Sequence, residues 1–273
     1  MSFIFLYGRP GSGKTTLACS MTKLGHKVKL IDVDSKAEDM QNLLPLIKNG
    51  QLKIVPIKST LTTATLRDRA TKVIKTPKQF SAAPPARQPQ GYTEFADIID
   101  GLAVLKGQGK KDPDGCSVLI APDSLTTLLE HLKRLVMFMS HEGKFGFDEW
   151  AAWLSNLEEL FHYLQALLGM YKHVIVTAHE TVERDEDTGR VVGIYPLIEG
   201  SMRYKVGDYF NEIYHCMVEV PKEGKPRYYI ETRSVNRAEA RTSRDLQTNE
   251  ESDFATLFKE ELAPHRLRNG ARK

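Results

Sequence analysis

Short apolar runs alternate with amphipathic segments along most of the chain. The runs at 3–7, 29–34, 118–121 and 173–180 are short and continuous, which is typical of buried strands. The longest amphipathic segment, at 148–172, has apolar residues at helical spacing. Strands that alternate with helices predict an α/β fold in which helices flank a mostly parallel central sheet. In such a sheet, ligands bind at the carboxyl ends of the strands.

The last third of the chain has a different pattern. The segment ETVERDEDTGRVVGIYP carries the turn signal Asp187-Thr188-Gly189 between two alternating stretches, which predicts a β-hairpin. Two strand candidates follow, in 199–221 and 225–246. We therefore expect a C-terminal antiparallel extension of the sheet. A short helix with a basic tail is predicted for 251–273, after one domain that spans 1–250.

The region 58–112 interrupts the alternation of strands and helices. Basic residues dominate 53–87, where Asp68 is the only acid, and SAAPPARQPQGY is rich in proline. Proline ends helices and central strands, so we interpret 58–112 as an elaborated, partly mobile connection rather than a separate domain. The basic surface is either a solvated face or a surface for phosphate backbones. We expect both Trp150 and Trp153 to lie in the core.

Composition and charge exclude several classes of protein. The chain has 273 residues and a net charge of +3, which is too small to indicate a nucleic-acid binder by itself. No apolar run approaches the ~20 residues that span a bilayer, and we expect no signal peptide because the first strand begins at residue 3. The three cysteines show no C-x-x-C pair, which favours a reducing, cytoplasmic location and argues against a zinc site or a disulfide framework.

A complete phosphate-binding motif lies between the first predicted strand and a helix predicted at 16–23. Residues 8–15 read GRPGSGKT and fit G-x-x-x-x-G-K-[ST] without a mismatch. Glycines let successive backbone N–H groups point at phosphate oxygens, Lys14 would reach the β- and γ-phosphates, and Thr15 would offer its hydroxyl to Mg²⁺. A Gly-rich turn without ligand is disfavoured, because strand, loop and helix all agree with the motif. The predicted ATP-binding residues are Gly8, Arg9, Pro10, Gly11, Ser12, Gly13, Lys14, Thr15 and Thr16.

Polar residues follow three of the other predicted strands. Asp32 and Asp34 end KLIDVD, and two residues that are two apart in a strand share a face. They form either a solvated strand end with Asp34 or Ser35 as a helix cap, or part of a catalytic site. Asp123 ends the strand at 118–121 and matches the aspartate that holds Mg²⁺ through water in P-loop proteins. The metal-binding residues are therefore predicted to be Thr15 and Asp123. His179 ends the strand at 173–180.

Taken together, these segments resemble one branch of the P-loop proteins. GRPGSGKTTLA, LIDVDS, VLIAPDSLT, VIVTAHE and RYYIETRSVNRAEARTSRDL resemble RecA-like ATPases. The chain looks most like the core-only ATPases that bacteriophages encode beside single-strand annealing and recombination genes. The similarity covers most of residues 1–245. It implies a RecA-like P-loop NTPase core in which the His179 strand lies between the P-loop strand and the Asp123 strand.

The resemblance also implies roles for individual side chains. Asp34 lies where these enzymes carry the carboxylate that activates water, usually a glutamate. Aspartate is shorter, so hydrolysis is slow or Asp34 acts through a second water. His179 lies where relatives sense the γ-phosphate, although a satisfied core histidine is the alternative. A basic residue would reach a neighbouring subunit's site, and Arg203 and Lys205 could share a strand face for this purpose. The competing arginines are Arg233, Arg237, Arg241 and Arg244.

These roles lead to one main functional hypothesis and two alternatives. The main hypothesis is an ATP- and Mg²⁺-dependent ATPase, stimulated by DNA, that assembles into a ring or filament. It would bind single-stranded DNA during phage-type recombination, annealing or replication in a bacterial host's cytoplasm, beside a single-strand binding or annealing protein. The predicted loops 140–147 and 180–195 would respond to ATP, and HEGKFGF (141–147) has the composition of a DNA contact. The alternatives are a small-molecule or nucleotide kinase, and a non-hydrolysing nucleotide-gated scaffold or loader.

Overall fold

The computed structural model describes residues 1–57, 89–140, 145–235 and 237–262. Most of the basic, proline-rich stretch, the first four residues of HEGKFGF and the basic tail from 263 lie outside these residues. The strands are β1 (Ser2–Gly8), β2 (Val28–Asp32), β3 (Leu52–Pro56), β4 (Val118–Asp123), β5 (His173–Arg184), β6 (Val191–Pro196), β7 (Glu212–Glu219), β8 (Arg227–Glu231) and β9 (Asn249–Glu251). The α-helices are α1 (Lys14–Cys19), α2 (Leu44–Lys48), α3 (Gly91–Gly107), α4 (Leu125–Met139), α5 (Phe147–Ala166), α6 (Met202–Lys205), α7 (Phe254–Leu257) and α8 (Lys259–Leu262). Short 3₁₀ helices span Ser20–Leu24, Ala37–Asp39 and Val206–Tyr209.

The strands form a mixed sheet that is parallel in its centre. The order is β3-β2-β4-β5-β1-β7-β8-β9, and β6 pairs with β5 outside this path. All pairs from β3 to β7 are parallel, whereas β8 and β9 are antiparallel additions. The predicted α/β fold class, the position of β5 between β4 and β1, and the antiparallel extension are confirmed. The division of the chain at residue 250 stays a prediction.

The central strands are buried on both faces, as their continuous apolar sequences predict. Along β1, Phe3, Phe5 and Tyr7 pack into one core layer, while Ile4 and Leu6 pack into the layer on the opposite face. This alternation follows from the two-residue period of a strand. Helices α3, α4 and α5 cover the first face. Helix α1, the 3₁₀ helix that follows it, and the C-terminal helices cover the second.

The structure adds detail to the sequence prediction and corrects parts of it. His179 does not end its strand, because β5 continues to Arg184 and forms the predicted hairpin with β6. Within the predicted connection 58–112, residues 91–107 form helix α3, whose buried side includes Phe95, Ile99 and Leu102. Trp153 is buried, but Trp150 is 37% exposed. Helix α1 begins at Lys14, two residues before the predicted start.

The pair Arg203 and Lys205 does not share a strand face. Both residues lie in the short helix α6, where a separation of two residues places side chains on different sides. Within the described ranges, no helix combines the length and the apolar character that crossing a membrane requires.

Candidate functional site

A cleft of about 550 Å³ opens at the carboxyl ends of the parallel strands. The loop between β1 and α1 forms one wall, and residues after β2, β4 and within β5 form the other. Strand pairing explains why the predicted strand tips converge here. Gly8 pairs with His179 and Asp32 pairs with Asp123, so these positions lie at the same height in the sheet. The aromatic ring of Tyr228, on β8, lies at the mouth of the cleft.

Two glycines of the P-loop are required by their surroundings. A Cβ atom on Gly8 would lie 2.2 Å from the backbone oxygen of Cys216 on β7, so only glycine fits against this strand. Gly13 precedes α1 and has φ near 85°, the left-handed region that glycine adopts without strain. A Cβ there would also approach the ring of Tyr228 to 3.1 Å. The loop is therefore packed closely against both β7 and β8.

Lys14 is held at the base of the loop by backbone oxygens. Its ammonium donates to the carbonyls of Gly8 and Arg9, both at 2.8 Å, and lies 3.5 Å from the hydroxyl of Ser12. The residue is 7% exposed, and burial lowers the pKa of its side chain. A buried ammonium whose partners are neutral carbonyls can still gain a strong interaction with an anion. This arrangement fits a phosphate group.

Asp123 is surrounded by hydroxyl groups rather than cations. Thr15 donates its hydroxyl to one carboxylate oxygen at 2.8 Å, and Thr177 on β5 donates to the other. Asp123 is 7% exposed, and burial raises its pKa to about 6. A carboxylate and a threonine hydroxyl are hard oxygen ligands of the type that Mg²⁺ binds directly or through water. The residues predicted to hold the metal are thus in contact with each other, and their chemistry fits a magnesium ion.

Asp32 and Asp34 have separate environments, although both line the cleft. Asp32 is 1% exposed and accepts a hydrogen bond of 2.7 Å from the backbone N–H of Ala37. It therefore holds the turn after β2, a role that the sequence had suggested for Asp34 or Ser35. Strand β2 ends at Asp32, so the two carboxylates do not share a strand face. Burial raises the pKa of Asp32.

Asp34 lies two residues after the end of β2, and its side chain points toward the end of the neighbouring strand β4. One of its oxygens accepts a hydrogen bond of 3.1 Å from the hydroxyl of Ser124. The other lies 3.9 Å from the ring of His179 and 3.9 Å from the ammonium of Lys36, too far for hydrogen bonds. This second oxygen is therefore available to another donor in the cleft.

His179 lies beside Asp34, and its backbone N–H is fixed by Thr126 at 2.9 Å. Burial and the nearby charge of Lys14 lower its pKa, so the ring is neutral at neutral pH. Its Nδ1 atom is buried, and no residue of the described ranges bonds to it. A neutral imidazole can donate one hydrogen bond to a ligand in the cleft.

Two groups of predicted residues lie outside the cleft. Arg203 contacts Glu183 of the hairpin at 3.8 Å and packs on the rings of Tyr195 and Tyr204. Lys205 is exposed. Arg241 donates to the carbonyls of Gly207 and Phe210 at 2.6 and 2.7 Å. Arg244 contacts Glu260 at 3.0 Å and stacks on the ring of Phe258. Both of these arginines are thus occupied within their own chain.

A buried charge network next to the P-loop was not predicted. Arg9 points away from the cleft and contacts Glu180 at 3.0 Å. Glu180 contacts His215 at 2.7 Å, and the other nitrogen of His215 contacts Glu231 at 2.8 Å. Burial opposes ionisation of Glu180, but the hydrogen bonds from His215 and Arg9 prevail and lower its pKa. Because Glu180 directly follows His179, the network connects the P-loop to the base of the β5–β6 hairpin.

The motifs did not single out two further cleft residues, Ser124 and Tyr228, or the buried Thr177, which donates a hydrogen bond to Asp123. Thr177 precedes His179 by two residues and so shares its strand face, and Ser124 directly follows Asp123. Those two could have been found from their neighbours. Tyr228 reaches the cleft through the pairing of β8 with β7, which no local sequence signal indicates.

Comparisons with known proteins found a family match and similarity to a solved structure. A family model described as an AAA domain matches residues 3–244. Among solved structures, the chain is similar to the flagellar accessory protein FlaH from Methanocaldococcus jannaschii, with a TM-score of 0.41. The two share 12% sequence identity over 91% of this chain and 83% of that chain. No curated protein sequence matches the chain. Since the family model spans β1 to the residues after β8, the chain belongs to the AAA domain family.

Proposed function

We propose that the cleft binds ATP with Mg²⁺ and hydrolyses it. One observation carries this proposal. A buried lysine at a P-loop, a threonine–aspartate pair with magnesium chemistry, and a carboxylate with one available oxygen all line the same cleft. The combination provides for phosphate binding, metal binding and water activation within one site.

Each residue then has one task. The P-loop backbone and Lys14 bind the phosphates, and Thr15 and Asp123 hold the metal ion. Mg²⁺, when bound, stabilises negative charge on the phosphate oxygens. Asp34 is oriented by Ser124, and its second oxygen accepts a proton from the attacking water. His179 donates to the γ-phosphate. We expect slow hydrolysis, because the side chain of Asp34 is shorter than that of a glutamate and its carboxylate reaches less far toward the attacking water.

We further propose that the ATPase binds single-stranded DNA through an exposed aromatic cluster, which comprises Phe145, Phe147 and Trp150. Phe147 is 87% exposed, and Phe145 and Trp150 are in edge contact with ring centroids 4.8 Å apart. The ammonium of Lys133 lies within 5.2 Å of the Phe145 ring and 5.7 Å of the Trp150 ring. Lys133 is paired with Glu199 at 2.7 Å, so the proposal rests on the aromatic faces, which match the stacking of bases in single strands.

Assembly into a ring or filament would complete the site. Arg203 is held by the hairpin, whereas Lys205 is exposed and free to reach a neighbouring subunit. Lys205 is therefore the better candidate for a residue that acts between subunits. In this proposal, specific ATPase activity rises with protein concentration. The resemblance to phage recombination ATPases extends the proposal to recombination, annealing or replication.

The test is ATP turnover of the full chain with and without an oligothymidine strand. We expect stimulation by DNA, and about tenfold weaker DNA binding for Phe147→Ala, since stacking on one base is worth about 1–3 kcal/mol. The control is Tyr163→Ala, which removes another exposed ring of the same helix. Equal DNA affinities of the two variants would place the DNA elsewhere. Turnover that DNA does not change would refute the DNA-stimulated ATPase.

A further inference from the structure

Three segments that are distant in sequence meet at the edge of the sheet opposite the cleft. His26 precedes β2, His173 is the first residue of β5, and Glu261 lies in the C-terminal helix α8. Because β2 and β5 are parallel to their neighbours, their first residues share the amino edge, while the P-loop cleft occupies the carboxyl edge. The function proposed above uses none of these three side chains.

The three side chains point their ligand atoms at one another. Nε2 of His26 lies 3.2 Å from Oε2 of Glu261, and Nε2 of His173 lies 3.3 Å from Oε1. Each residue contributes one ligand atom, and these three atoms all lie within 4.8 Å of one another. A tetrahedral zinc with bonds of about 2.0–2.1 Å places neighbouring ligand atoms about 3.3 Å apart. Oε2 of Glu261 alone lies 3.2 Å from Nε2 of His26 and 3.4 Å from Nε2 of His173, so one carboxylate oxygen has both separations near this value.

We propose that His26, His173 and Glu261 bind a zinc ion that fastens the C-terminal helices to the amino edge of the sheet. Two imidazoles and one carboxylate are ligands that Zn²⁺ accepts, and water would complete the coordination. The cysteine pattern in the sequence did not indicate this site, because none of its ligands is a cysteine.

Neighbouring residues orient both rings. Nδ1 of His26 lies 2.9 Å from the hydroxyl of Ser117, an outer contact that fixes the ring as metal-binding histidines require. The ring of Phe258 meets that of His173 edge-on, with centroids 5.2 Å apart. His173 is fully buried, whereas the side chains of His26 and Glu261 are 13% and 15% exposed. An ion can thus enter from the solvent side without disturbing the core.

One existing contact competes with the metal. The ammonium of Lys172 also bonds to Oε2 of Glu261, so a cation already occupies one side of the carboxylate. The side chain of Lys172 is 43% exposed and can move into water when zinc binds. Removal of this ammonium therefore strengthens zinc binding. A cluster that is only an ion pair predicts no such effect.

The test is zinc binding by the full chain without a histidine tag, with excess Mg²⁺ present to occupy the cleft. Equilibrium dialysis with metal analysis gives stoichiometry and affinity, and the absorption spectrum of the Co²⁺ form reports coordination. We expect one zinc per chain, more than about 100-fold weaker binding for Glu261→Gln and for His26→Asn, and tighter binding for Lys172→Met. The control His162→Asn removes an exposed histidine and leaves binding unchanged.

Thermal unfolding gives a second readout, with circular dichroism to confirm that each variant is folded. Zinc at a hundredfold excess over its Kd should raise the Tm of the wild type by roughly 5 °C and leave Glu261→Gln unchanged. The proposal is overturned if the folded wild type binds no zinc. It is also overturned if Glu261→Gln and His26→Asn bind zinc as tightly as the wild type. Both readouts are independent of ATP turnover, so failure here does not affect the proposed ATPase.

Discussion

The buried aspartates at the two edges of the parallel sheet have pKa values that are shifted in opposite directions. At the amino edge, Asp112 accepts hydrogen bonds from the ammonium of Lys29 and, at 2.5 Å, from the hydroxyl of Tyr171. Burial opposes its ionisation, but these bonds prevail and lower its pKa. At the carboxyl edge, Asp123 is equally buried but has two threonine hydroxyls as partners, and its pKa is raised to about 6.

The two aspartates differ in whether a cation of the same chain compensates the carboxylate charge: Lys29 does so for Asp112, whereas Asp123 has hydroxyl partners. The charge of a buried carboxylate that is paired with a lysine of its own chain is compensated within the fold, whereas a buried carboxylate without a cation costs stability until a cation binds. In the same way, Lys14 is buried against neutral carbonyls, whereas Lys29 is buried against Asp112 and Asp114. At the carboxyl edge, Lys14 and Asp123 thus have neutral hydrogen-bond partners, an arrangement that fits a metal–phosphate ligand.

The largest effect is expected for Asp34→Asn, which removes the proposed proton acceptor at the carboxyl edge. Turnover should fall about 10²–10³-fold, within the range of general-base catalysis, while nucleotide affinity stays nearly the same. Steady-state ATPase assays and titration with a fluorescent ATP analogue measure the two quantities. Asp39→Asn, an exposed aspartate nearby, is the control. Wild-type turnover in Asp34→Asn would remove Asp34 from the mechanism.

At the amino edge, Asp112→Asn should cost about 2–4 kcal/mol of unfolding free energy. The substitution leaves the ammonium of Lys29 buried beside Asp114 alone, at 3.0 Å, and losing one partner of a buried pair typically costs about 3–5 kcal/mol. Denaturant unfolding measures the loss. Asp114→Asn, at a 37% exposed side chain, should cost clearly less. Equal losses would show that Lys29 does not depend on Asp112.

At the carboxyl edge, the corresponding substitution should raise the free energy of unfolding instead of lowering it. Asp123→Asn should stabilise the nucleotide-free protein at pH 8 by roughly 1–3 kcal/mol, because a shift from 3.8 to about 6 corresponds to roughly 3 kcal/mol against the ionised form.

The pH dependence of this effect has a definite sign. The folded state holds the Asp123 proton more tightly than the unfolded state, so wild-type stability falls as pH rises from 3.8 through about 6. The gain from Asp123→Asn should therefore be present at pH 8 and absent near pH 4. The loss from Asp112→Asn should instead shrink as pH falls, since its lowered pKa stabilises the fold only while Asp112 is ionised. Parallel pH curves of the two variants would contradict this distinction.

The smallest effect is expected for Tyr228→Ala at the mouth of the cleft. Its ring lies beside Gly13 and lines the cleft, and in the proposed complex a base would stack on it, so ATP affinity should fall about fivefold, or roughly 1 kcal/mol. Tyr229→Ala changes the neighbouring residue on the other face of β8 and should leave the affinity unchanged. If both variants lose affinity equally, the cause is the strand and not the ring.

The carboxyl edge was largely predictable from the sequence because its residues carry local signals. The P-loop is contiguous, and Asp123, Asp34 and His179 follow apolar runs of a parallel sheet, in which the strand tips lie at one edge. The buried network of Glu180, His215 and Glu231 was not predictable, since pairings between distant strands bring these residues together.

Two other differences between the sequence prediction and the structure have local causes. Helix α3 contains Gly91, Gly101 and Gly107, which weaken the helical signal, although Phe95, Ile99 and Leu102 keep a helical period. The spacing of Arg203 and Lys205 is compatible with a strand or a helix, and the short segment around them gives no period to decide between the two.

Calorimetric titration of the folded protein with ATP and Mg²⁺ tests the central claim most directly. The account predicts one site per chain in the wild type and in Lys23→Ala, which changes an exposed lysine after α1. In Lys14→Ala it predicts a loss of at least about 100-fold in affinity, because the main side-chain charge on the phosphates is removed. A folded Lys14→Ala protein that binds ATP as tightly as the wild type would contradict the account.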